Sequence, residues 1–412
     1  MRILTLLALI TLCSTTFIDA DDWPQWRGVH RDGKSAETGL QQKWTAEGPA
    51  LRWKRTDLGT GYSSPSIVDG RVYVQTTRGE EEFALALDEQ TGDEVWSAPI
   101  GRVGKNRGPQ YPGTRSTPTV DGDRIYCLSS DGELTCLSSS GGEQKWQRQL
   151  REDFAGEDGA WAYSESVLVD GDRVICTPGG AKASLVSLDK LTGEAVWECS
   201  VPDGGTAEYS SIMVSHGGGR KQFVQFVRSG LVGVDAESGE FLWMYGKIID
   251  PGANILTPIV QDNHVFAAGS RTGGGLVELV SQGAGVAANE VYFNNKLTPG
   301  IGGAVLLDGY LYGCTQSGMF CADFLTGEFK WQDRSVGAAS VCYADGRIYL
   351  RGHKSGEVAL VEPNPEMYVE HGRLQQTDRS QKQAWPHPVI ANGALYVRDW
   401  ESLLCFDIKA TE

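Results

Sequence analysis

The sequence predicts an all-β protein, an eight-bladed β-propeller of four-stranded antiparallel blades that dock on one another through tryptophan. Three observations predict this fold: one sequence phrase recurs along the chain, its copies stand about 37 to 51 residues apart, and helical periodicity is absent. That spacing accommodates four strands of five or six residues with their turns. Repeated blades also explain how a chain of 412 residues forms one domain, since a single core stops growing near about 250 to 300 residues.

Each copy of the repeat starts at a turn and ends at a tryptophan. An Asp-Gly pair precedes a strand of β-branched and aromatic residues, and the copy closes with a glycine four residues before its tryptophan. Asp-Gly pairs tolerate the positive φ of a tight hairpin turn, so they mark the start of a strand. The clearest copies end at Trp96, Trp146, Trp197, Trp243 and Trp331.

Two copies are worn and the last one is incomplete. One worn copy runs through Phe266 and Phe293, and the other runs through Tyr349 and Tyr368. The last copy reaches the end of the sequence before its tryptophan, and we expect Trp53 to supply it from the N-terminal side. A ring closed in this way removes an exposed sheet edge. Residues 49–412 are therefore interpreted as a single propeller domain.

A small residue and an aspartate precede the glycine of the best copy. Ala86, Asp88, Gly92 and Trp96 form Ala-x-Asp-x-x-x-Gly-x-x-x-Trp, which resembles the tryptophan-docking repeat of quinoprotein-type propellers. Residues 23–28 read Trp-Pro-Gln-Trp-Arg-Gly, and this opening is similar to secreted bacterial propellers with PQQ-like repeats, the BamB-like family. The resemblance implies the fold, but enzymes, assembly factors and binding modules share that fold. It implies docking roles for Trp53, Trp96, Trp146, Trp197, Trp243 and Trp331.

The first residues predict export from the cytoplasm. Met1 and Arg2 precede an apolar run that ends at Leu12, so residues 1–20 are interpreted as a cleaved signal peptide and residues 21–48 as an N-terminal extension. The bulky Leu12 before Cys13 argues against lipid attachment. We therefore expect a periplasmic or secreted monomer without a transmembrane segment.

Charge and short motifs exclude several functions. The formal net charge is -16 and no basic stripe runs along the sequence, which disfavours nucleic-acid binding. Histidine pairs at metal spacing, Cys-x-x-Cys-His, Gly-x-Ser-x-Gly and P-loop patterns are missing from the sequence. No catalytic residue and no metal ligand are therefore assigned from motifs.

The cysteines allow two interpretations. A two-residue turn at Asp131-Gly132 would place Cys127 opposite Cys136 in a non-hydrogen-bonded pair, where Cα atoms come close enough for a disulfide. This disulfide is a prediction. The alternative is that these and most other cysteines are small apolar fillers, because Cys136, Cys321 and Cys405 occupy the small docking position of the repeat.

The candidate site lies in the loops that enter the innermost strands, because these loops converge at one mouth of the central channel. A basic group in the second-blade loop could hold a carboxylate or a phosphate, or it could be a solvated loop. The tryptophans of these loops either stack on a ligand or seal the channel. The candidate residues are Arg102, Lys105, Arg107, Tyr111, Arg115, Trp161, Tyr163, Glu165, Asn254, Trp385 and His387.

The resemblance to quinoprotein dehydrogenases implies a further site, in which a Glu, an Asn and a catalytic Asp surround Ca²⁺ and PQQ beside two adjacent cysteines. Glu165 and Asn254 are the weak candidates for the first two calcium ligands. A third carboxylate has no counterpart near Lys296, and no two cysteines are adjacent. No cofactor is therefore predicted, and PQQ with calcium is the alternative.

Three functions remain open on these grounds. We expect a non-catalytic binding or scaffold module of the cell envelope, with envelope proteins or polysaccharide as partners. The alternatives are a PQQ-dependent oxidoreductase that resembles alcohol or sugar dehydrogenases, and a propeller that binds carbohydrate or another polymer. Missing catalytic elements favour the first over the oxidoreductase, whereas the aromatic loops favour the carbohydrate binder.

Overall fold

Eight four-stranded antiparallel sheets surround a central channel in the computed structural model, which describes residues 22–107, 111–283 and 285–410. This arrangement confirms the predicted eight-bladed propeller. The first strands of most neighbouring blades contact one another, so they form the wall of the channel. The predicted signal peptide and Cys13 lie outside the described residues.

The strands follow one another blade by blade, from the channel outwards. In chain order they are β1 (Ala50–Arg55); in blade 1, β2 (Ser66–Val68), β3 (Arg71–Arg78), β4 (Glu81–Asp88) and β5 (Glu94–Arg102); in blade 2, β6 (Thr119–Asp121), β7 (Arg124–Leu128), β8 (Glu133–Ser138) and β9 (Gln144–Gln149); in blade 3, β10 (Leu168–Asp170), β11 (Arg173–Cys176), β12 (Leu185–Asp189) and β13 (Ala195–Cys199); in blade 4, β14 (Met213–Ser215), β15 (Gln222–Val227), β16 (Gly230–Asp235) and β17 (Phe241–Tyr245).

The second half of the ring continues the same order. Its strands are, in blade 5, β18 (Ile259–Gln261), β19 (His264–Gly269), β20 (Gly273–Gln282) and β21 (Gly285–Asn294); in blade 6, β22 (Ala304–Leu307), β23 (Tyr310–Thr315), β24 (Gly318–Asp323) and β25 (Phe329–Asp333); in blade 7, β26 (Ala339–Ala344), β27 (Arg347–Gly352), β28 (Val358–Val361) and β29 (Glu370–Leu374); in blade 8, β30 (Val389–Ala391), β31 (Ala394–Asp399) and β32 (Ser402–Asp407), with β1 as the outer strand.

In the part of the chain that the structure describes, helical structure is confined to two short pieces. The described residues include one α-helical turn, α1 (Leu150–Asp153), and one 3₁₀ turn at Gly217–Gly219. Within the described ranges, no helix is long and apolar enough to cross a bilayer.

Tryptophans on the outer strands stack on glycines of the next blade. A Cβ added at Gly92 would lie 2.7 Å from the Trp53 ring, so only glycine leaves room for the indole. The indole N–H of Trp53 also donates to the backbone oxygen of Glu89 at 2.8 Å. The same two contacts recur in three further pairs, Trp96 with Gly142, Trp146 with Gly193 and Trp197 with Gly239.

The outer strands of blades 4 and 5 depart from this pattern. The indole N–H of Trp243 donates to Oε1 of Gln222 in its own blade, at 2.5 Å. The outer strand of blade 5 carries Tyr292, and a Cβ at Gly327 in blade 6 would lie 2.3 Å from this tyrosine ring. A tyrosine therefore replaces the docking tryptophan between blades 5 and 6.

Blade 7 takes its docking tryptophan from the N-terminal segment. Gly372 occupies the strand position at which other blades carry tryptophan, and a Cβ there would lie 2.6 Å from the Cβ of Trp44. The Trp44 ring lies 5.8 Å from Tyr349, much as the Trp96 ring lies 6.1 Å from Tyr73 in blade 1. The worn seventh repeat is thus completed by a residue distant in sequence.

The rest of the N-terminal segment crosses the channel. Trp23 forms a β-bridge with Ile67 of blade 1, and Arg31 donates to the backbone oxygen of Ser166 at 2.6 Å, next to blade 3. The backbone N–H of Tyr343 in blade 7 donates to the oxygen of Gly33 at 2.9 Å. The segment therefore links blades on opposite sides of the ring and closes the channel below its mouth.

The predicted disulfide between Cys127 and Cys136 is wrong. The backbone N–H of Ser129 donates to the oxygen of Glu133, so the hairpin loop contains three residues instead of two, and Cys127 lies opposite Thr135. Because side chains alternate along a strand, this one-residue shift places the two thiols on opposite faces of the sheet. Both cysteines are free and buried, as apolar fillers would be.

Candidate functional site

A cavity opens at the mouth of the channel, where the loops before the innermost strands converge. We call it the channel chamber; it has an outer compartment of about 250 Å³ and a lower compartment of about 90 Å³. The outer compartment is lined by Tyr111, Arg115, Trp161, Tyr209, Ala253, Ile255, Ile301 and Trp385. The lower compartment shares several of these and adds Trp26, Arg27, Tyr62, Ser164, Ser166, Ser211, Leu256, Thr257, Gly303, Pro386 and His387.

Aromatic side chains are half of the residues that line the outer compartment. The Trp385 ring lies 5.0 Å from Tyr62 and 4.6 Å from Tyr111, and the latter pair is edge to face. On another part of the wall, the rings of Trp161 and Tyr209 lie 5.6 Å apart at 68°. Edge-to-face pairs of this kind hold each ring in one orientation. The chamber therefore offers a ligand several fixed aromatic surfaces.

The N-terminal segment forms the floor. The Trp26 indole donates to Oγ1 of Thr257 at 2.9 Å, and its ring lies 4.7 Å from His387. Beside it, Arg27 donates to the backbone oxygen of Ala304 at 2.6 Å. Burial, together with the charge of Arg27, lowers the pKa of His387 to about 3. The imidazole on the floor is therefore neutral near pH 7.

Arg115 supplies the charge of the wall. Its Nη1 donates to the backbone oxygen of Trp161 at 2.8 Å, and its Nη2 donates to the backbone oxygen of Tyr111. Burial lowers the pKa of Arg115, but a guanidinium remains protonated in proteins. Among the residues that line the outer compartment, Arg115 is the only charged one.

Hydroxyl groups in the chamber keep a hydrogen to donate. Oγ of Ser166 accepts from the backbone N–H of Thr117 at 2.8 Å, and Oγ of Ser211 accepts from that of Ser166 at 3.0 Å. Oη of Tyr209 accepts from the backbone N–H of Trp161 at 3.0 Å. A hydroxyl that accepts one hydrogen bond can still donate its own hydrogen. The chamber is accordingly rich in hydrogen-bond donors.

The structure brings five of the predicted residues together and leaves the others outside. Arg102 and Arg107 lie at the edge of the channel mouth, with side chains 72% and 66% exposed. Their ion-pair partners are Glu133 and Asp158 respectively. Lys105 is exposed on the same loop. The predicted residues that line the chamber are Tyr111, Arg115, Trp161, Trp385 and His387.

Three predicted residues are buried between blades and do not line the chamber. Oη of Tyr163 donates to the backbone oxygen of Pro178 at 2.8 Å. Nδ2 of Asn254 donates to the backbone oxygen of Val227 at 2.8 Å. Glu165 is 2% exposed. All three side chains therefore support the loops that carry the chamber wall.

Glu165 and Asn254 do not fit a calcium site for PQQ. The Glu165 carboxyl accepts from the backbone N–H of Thr177 at 2.8 Å and from Nε2 of Gln225 at 3.2 Å, and burial raises its pKa to about 8. Oδ1 of Asn254 accepts from the backbone N–H of Asp250 at 2.9 Å. Calcium takes six to eight oxygen ligands, usually with several carboxylates. In the described ranges, no group of three or more His, Cys, Asp or Glu is arranged to hold a metal ion.

Several chamber residues were missed by sequence reasoning. Tyr209 and Ile255 lie in loops that enter innermost strands, so the rule that found Trp161 could also have found them. Trp26 and Arg27 belong to the N-terminal motif, and no local pattern connects that motif with the channel. These two residues can be recognised as chamber residues only from the folded structure, in which the N-terminal segment lies across the channel.

A comparison with protein families matches residues 80–333 to a family described as outer membrane protein assembly factor BamB. The BamB of Yersinia pestis is 24% identical over 327 residues, which cover 76% of this chain and 77% of that protein. Subunit 1 of a cytochrome c methanol dehydrogenase from Methylorubrum extorquens is 30% identical over 164 residues, which cover 36% of this chain but only 25% of the subunit.

A solved structure of similar shape is the quinohemoprotein alcohol dehydrogenase of Comamonas testosteroni. It superposes with a TM-score of 0.65 at 12% identity, over 95% of this chain and 81% of that one. At this identity the likeness concerns the fold.

Proposed function

This chain belongs to the BamB-like family of β-propellers with PQQ-like repeats, and from that premise we propose that it is an exported, non-catalytic binding module of the cell envelope. Its ligand binds in the channel chamber. The observation that carries this proposal is the chamber itself, whose lining combines Trp385, Tyr62, Tyr111 and Tyr209 with two cations, Arg115 and Arg27.

The composition of the chamber supports binding as its main task. Ligand sites are concave and mostly apolar, with a few polar groups that set orientation. The chamber has this composition, and no Asp or Glu is among its lining residues. The neutral His387 on the floor lies against Trp26, with Nε2 at 3.3 Å from the backbone oxygen of Ile301. Such an imidazole is held in place as part of the floor.

An oxidoreductase is the competing function, because part of the chain is similar to a methanol dehydrogenase subunit. The carboxyl group that would bind calcium, Glu165, is already engaged by Thr177 and Gln225. Its raised pKa also favours the protonated acid at neutral pH. The chamber therefore suits a ligand that stacks and hydrogen-bonds better than it suits a divalent cation.

The envelope location rests on the relatives. Proteins described as outer membrane protein assembly factors align with much of this chain. A secretory signal at residues 1–20, proposed from the sequence, would bring the chain to the same compartment. Fractionation of cells that express the full chain tests this: we expect the processed protein in the periplasmic fraction, whereas retention of unprocessed protein in the cytoplasm would overturn the proposal.

Ligand binding is tested with the purified mature chain. Tryptophan fluorescence and calorimetry are recorded with neutral and acidic saccharides, and with PQQ in the presence and absence of Ca²⁺. We expect saccharide binding that Trp385→Ala weakens at least about tenfold, because one stacking surface is lost. The matched control is Phe329→Ala, an aromatic of the outer strand of blade 6.

The same experiment distinguishes the competing function. Binding lost in Trp385→Ala and kept in Phe329→Ala supports the proposal, provided both variants retain the wild-type melting curve. Calcium-dependent dye reduction with alcohols or sugars, lost in Glu165→Ala, would replace it by the oxidoreductase. If no saccharide binds, the chamber is not the proposed binding site.

A further inference from the structure

We propose that the channel chamber selects an acidic saccharide, and that Arg115 and Arg27 hold its carboxylate while the aromatic wall covers its ring. This inference rests on the proposed binding function and adds the chemical class of the ligand. It follows from three features of the chamber: its uncompensated positive charge, its surplus of donors, and the mixture of aromatic and hydroxyl groups.

The two arginines bring positive charge to a cavity that no Asp or Glu lines. Both line the lower compartment, and both donate to backbone oxygens: Arg115 to that of Trp161 and Arg27 to that of Ala304. Neither takes part in a salt bridge among the described residues. In a chain with a formal net charge of -16, a cavity with two guanidinium groups and no carboxylate is a specific departure. Such a cavity favours an anion.

The nearest acids are committed to other groups. Asp32, which acts on Arg27 through its charge, forms an ion pair with Lys34 at 2.9 Å. Glu82, which acts on Arg115, accepts hydrogen bonds from the backbone and side chain of Ser130. Burial raises the pKa of Glu82 to about 7, so near neutral pH a part of this carboxyl is uncharged. The positive charge of the chamber is thus left for a ligand.

The backbone leaves room for Arg27 at the floor. A Cβ at Gly303 would lie 2.8 Å from Nη1 of Arg27, and Gly303 has a φ of +66°. Arg27 itself has a φ of 62°, a conformation that non-glycine residues adopt with some strain. The chain accepts this conformation at a point where it directs a guanidinium into the channel.

The other lining groups suit a sugar ring. The rings of Trp385 and Tyr62 present apolar surfaces, while Ser166, Ser211 and Tyr209 present hydroxyl donors. A pyranose has C–H faces that pack on aromatic rings and hydroxyl oxygens that accept hydrogen bonds. Burial raises the pKa of Tyr62 and Tyr209 to about 12, so both phenols keep their hydrogens. The outer compartment, at about 250 Å³, has room for a single ring or a chain end.

The test compares two sugars that differ only at C6, glucuronic acid and glucose, by calorimetry on the full mature chain. A trimer of galacturonic acid extends the comparison from a free acid to the end of an acidic chain. We expect glucuronate to bind at least about tenfold more tightly than glucose, and added salt to weaken only the acidic ligand. Tighter binding of the trimer than of monomeric galacturonic acid would identify an acidic polymer as the source of the carboxylate.

Variants of the arginine locate the effect. Arg115→Gln removes the charge and should abolish the preference for glucuronate. Arg115→Lys keeps the charge but loses the paired N–H donors of the guanidinium, so it should retain part of that preference. Arg107→Gln is the matched control, since Arg107 lies on the same loop but is 66% exposed at the edge of the channel mouth. The salt dependence of the wild-type protein remains a valid measurement even if Arg115→Gln unfolds.

The outcomes separate this inference from the function on which it rests. Equal affinity for glucuronate and glucose, or an unchanged preference in a folded Arg115→Gln, would overturn the acidic ligand and leave saccharide binding intact. Failure of every saccharide to bind would overturn the binding function itself.

Discussion

The rim of the propeller and the mouth of its channel are built in opposite ways. At the rim one contact recurs, a tryptophan on a glycine of the next blade, as between Trp53 and Gly92. At the mouth each loop contributes a different residue, such as Trp161, Ile255 or Trp385. Repetition creates the ring because every blade needs the same neighbour. The site arises where the repeat ends, since the connecting loops are free to differ.

The rim also contains a comparison of its own. Trp53 and Trp44 both come from the N-terminal side and both complete a blade, but Trp53 lies on a hydrogen-bonded strand whereas Trp44 lies on an irregular segment. Trp53 donates its indole N–H to Glu89. The indole nitrogen of Trp44 is buried without a partner among the described residues. A comparison of the two residues therefore distinguishes the contribution of packing to stability from the contribution of the indole hydrogen bond.

The largest expected effect comes from Trp53→Ala, which tests how far the ring depends on one docking residue. Removing a buried indole costs about 3 to 5 kcal/mol, and here it also weakens the strand that closes blade 8. Urea unfolding should show a lower midpoint and earlier aggregation. The control Leu191→Ala, at a side chain that is 56% exposed, should leave the midpoint within error. An unchanged midpoint in Trp53→Ala would refute the role of this contact in closure.

The second prediction concerns pH and the residues beneath the mouth. The pKa of Glu165 is raised from 4.5 to about 8 by burial, so between these values the folded state binds more protons than the unfolded state. Stability should therefore fall as pH rises from about 4.5 to 8, by at most about 1.4 kcal/mol per pH unit from this group. Urea unfolding of wild type and Glu165→Gln over this range should show a flatter profile for the variant. Parallel profiles would mean that Glu165 stays charged in the fold.

The third prediction compares Trp53→Phe with Trp44→Phe. Both changes keep an aromatic ring, but only the first removes a hydrogen bond, from the indole N–H to the backbone oxygen of Glu89. Trp53→Phe should therefore destabilise the protein by about 1 kcal/mol more than Trp44→Phe. Chemical unfolding of the two variants side by side measures the difference. A larger loss of stability in Trp44→Phe would show that Trp44, on the irregular N-terminal segment, stabilises the ring more than Trp53 on β1 does.

The smallest effect is expected for the cysteines. Since Cys127 and Cys136 lie on opposite faces of their sheet, reductant should leave the unfolding midpoint of the purified protein unchanged. Alkylation after denaturation without reductant, followed by mass mapping, should label both thiols. A peptide pair linked through these two residues would mean that the hairpin is shifted by one residue from the register with Cys127 opposite Thr135.

Sequence reasoning reached the rim more fully than the mouth. The spacing from Trp96 to Trp146 is enough to count blades, because each blade is one local unit with its own turns. Five chamber residues, Trp161 among them, were found because their loops enter the innermost strands. Glu165 and Asn254 satisfied the same rule, yet they point into the packing between blades. A loop position alone does not determine which way a side chain faces.

The sequence by itself determined the number of blades and the antiparallel order of their strands, because these depend on patterns within about fifty residues. Only the tertiary structure decided the contacts between distant segments. It placed Trp44 on Gly372 and Arg27 in the channel. The three-residue loop of the hairpin between Cys127 and Cys136 also meets a distant segment, because Ser130 in this loop donates to Glu82 of blade 1. The physical reason is that these choices are settled by packing across the closed ring, and residues far apart in the chain become neighbours only when all eight blades are in place.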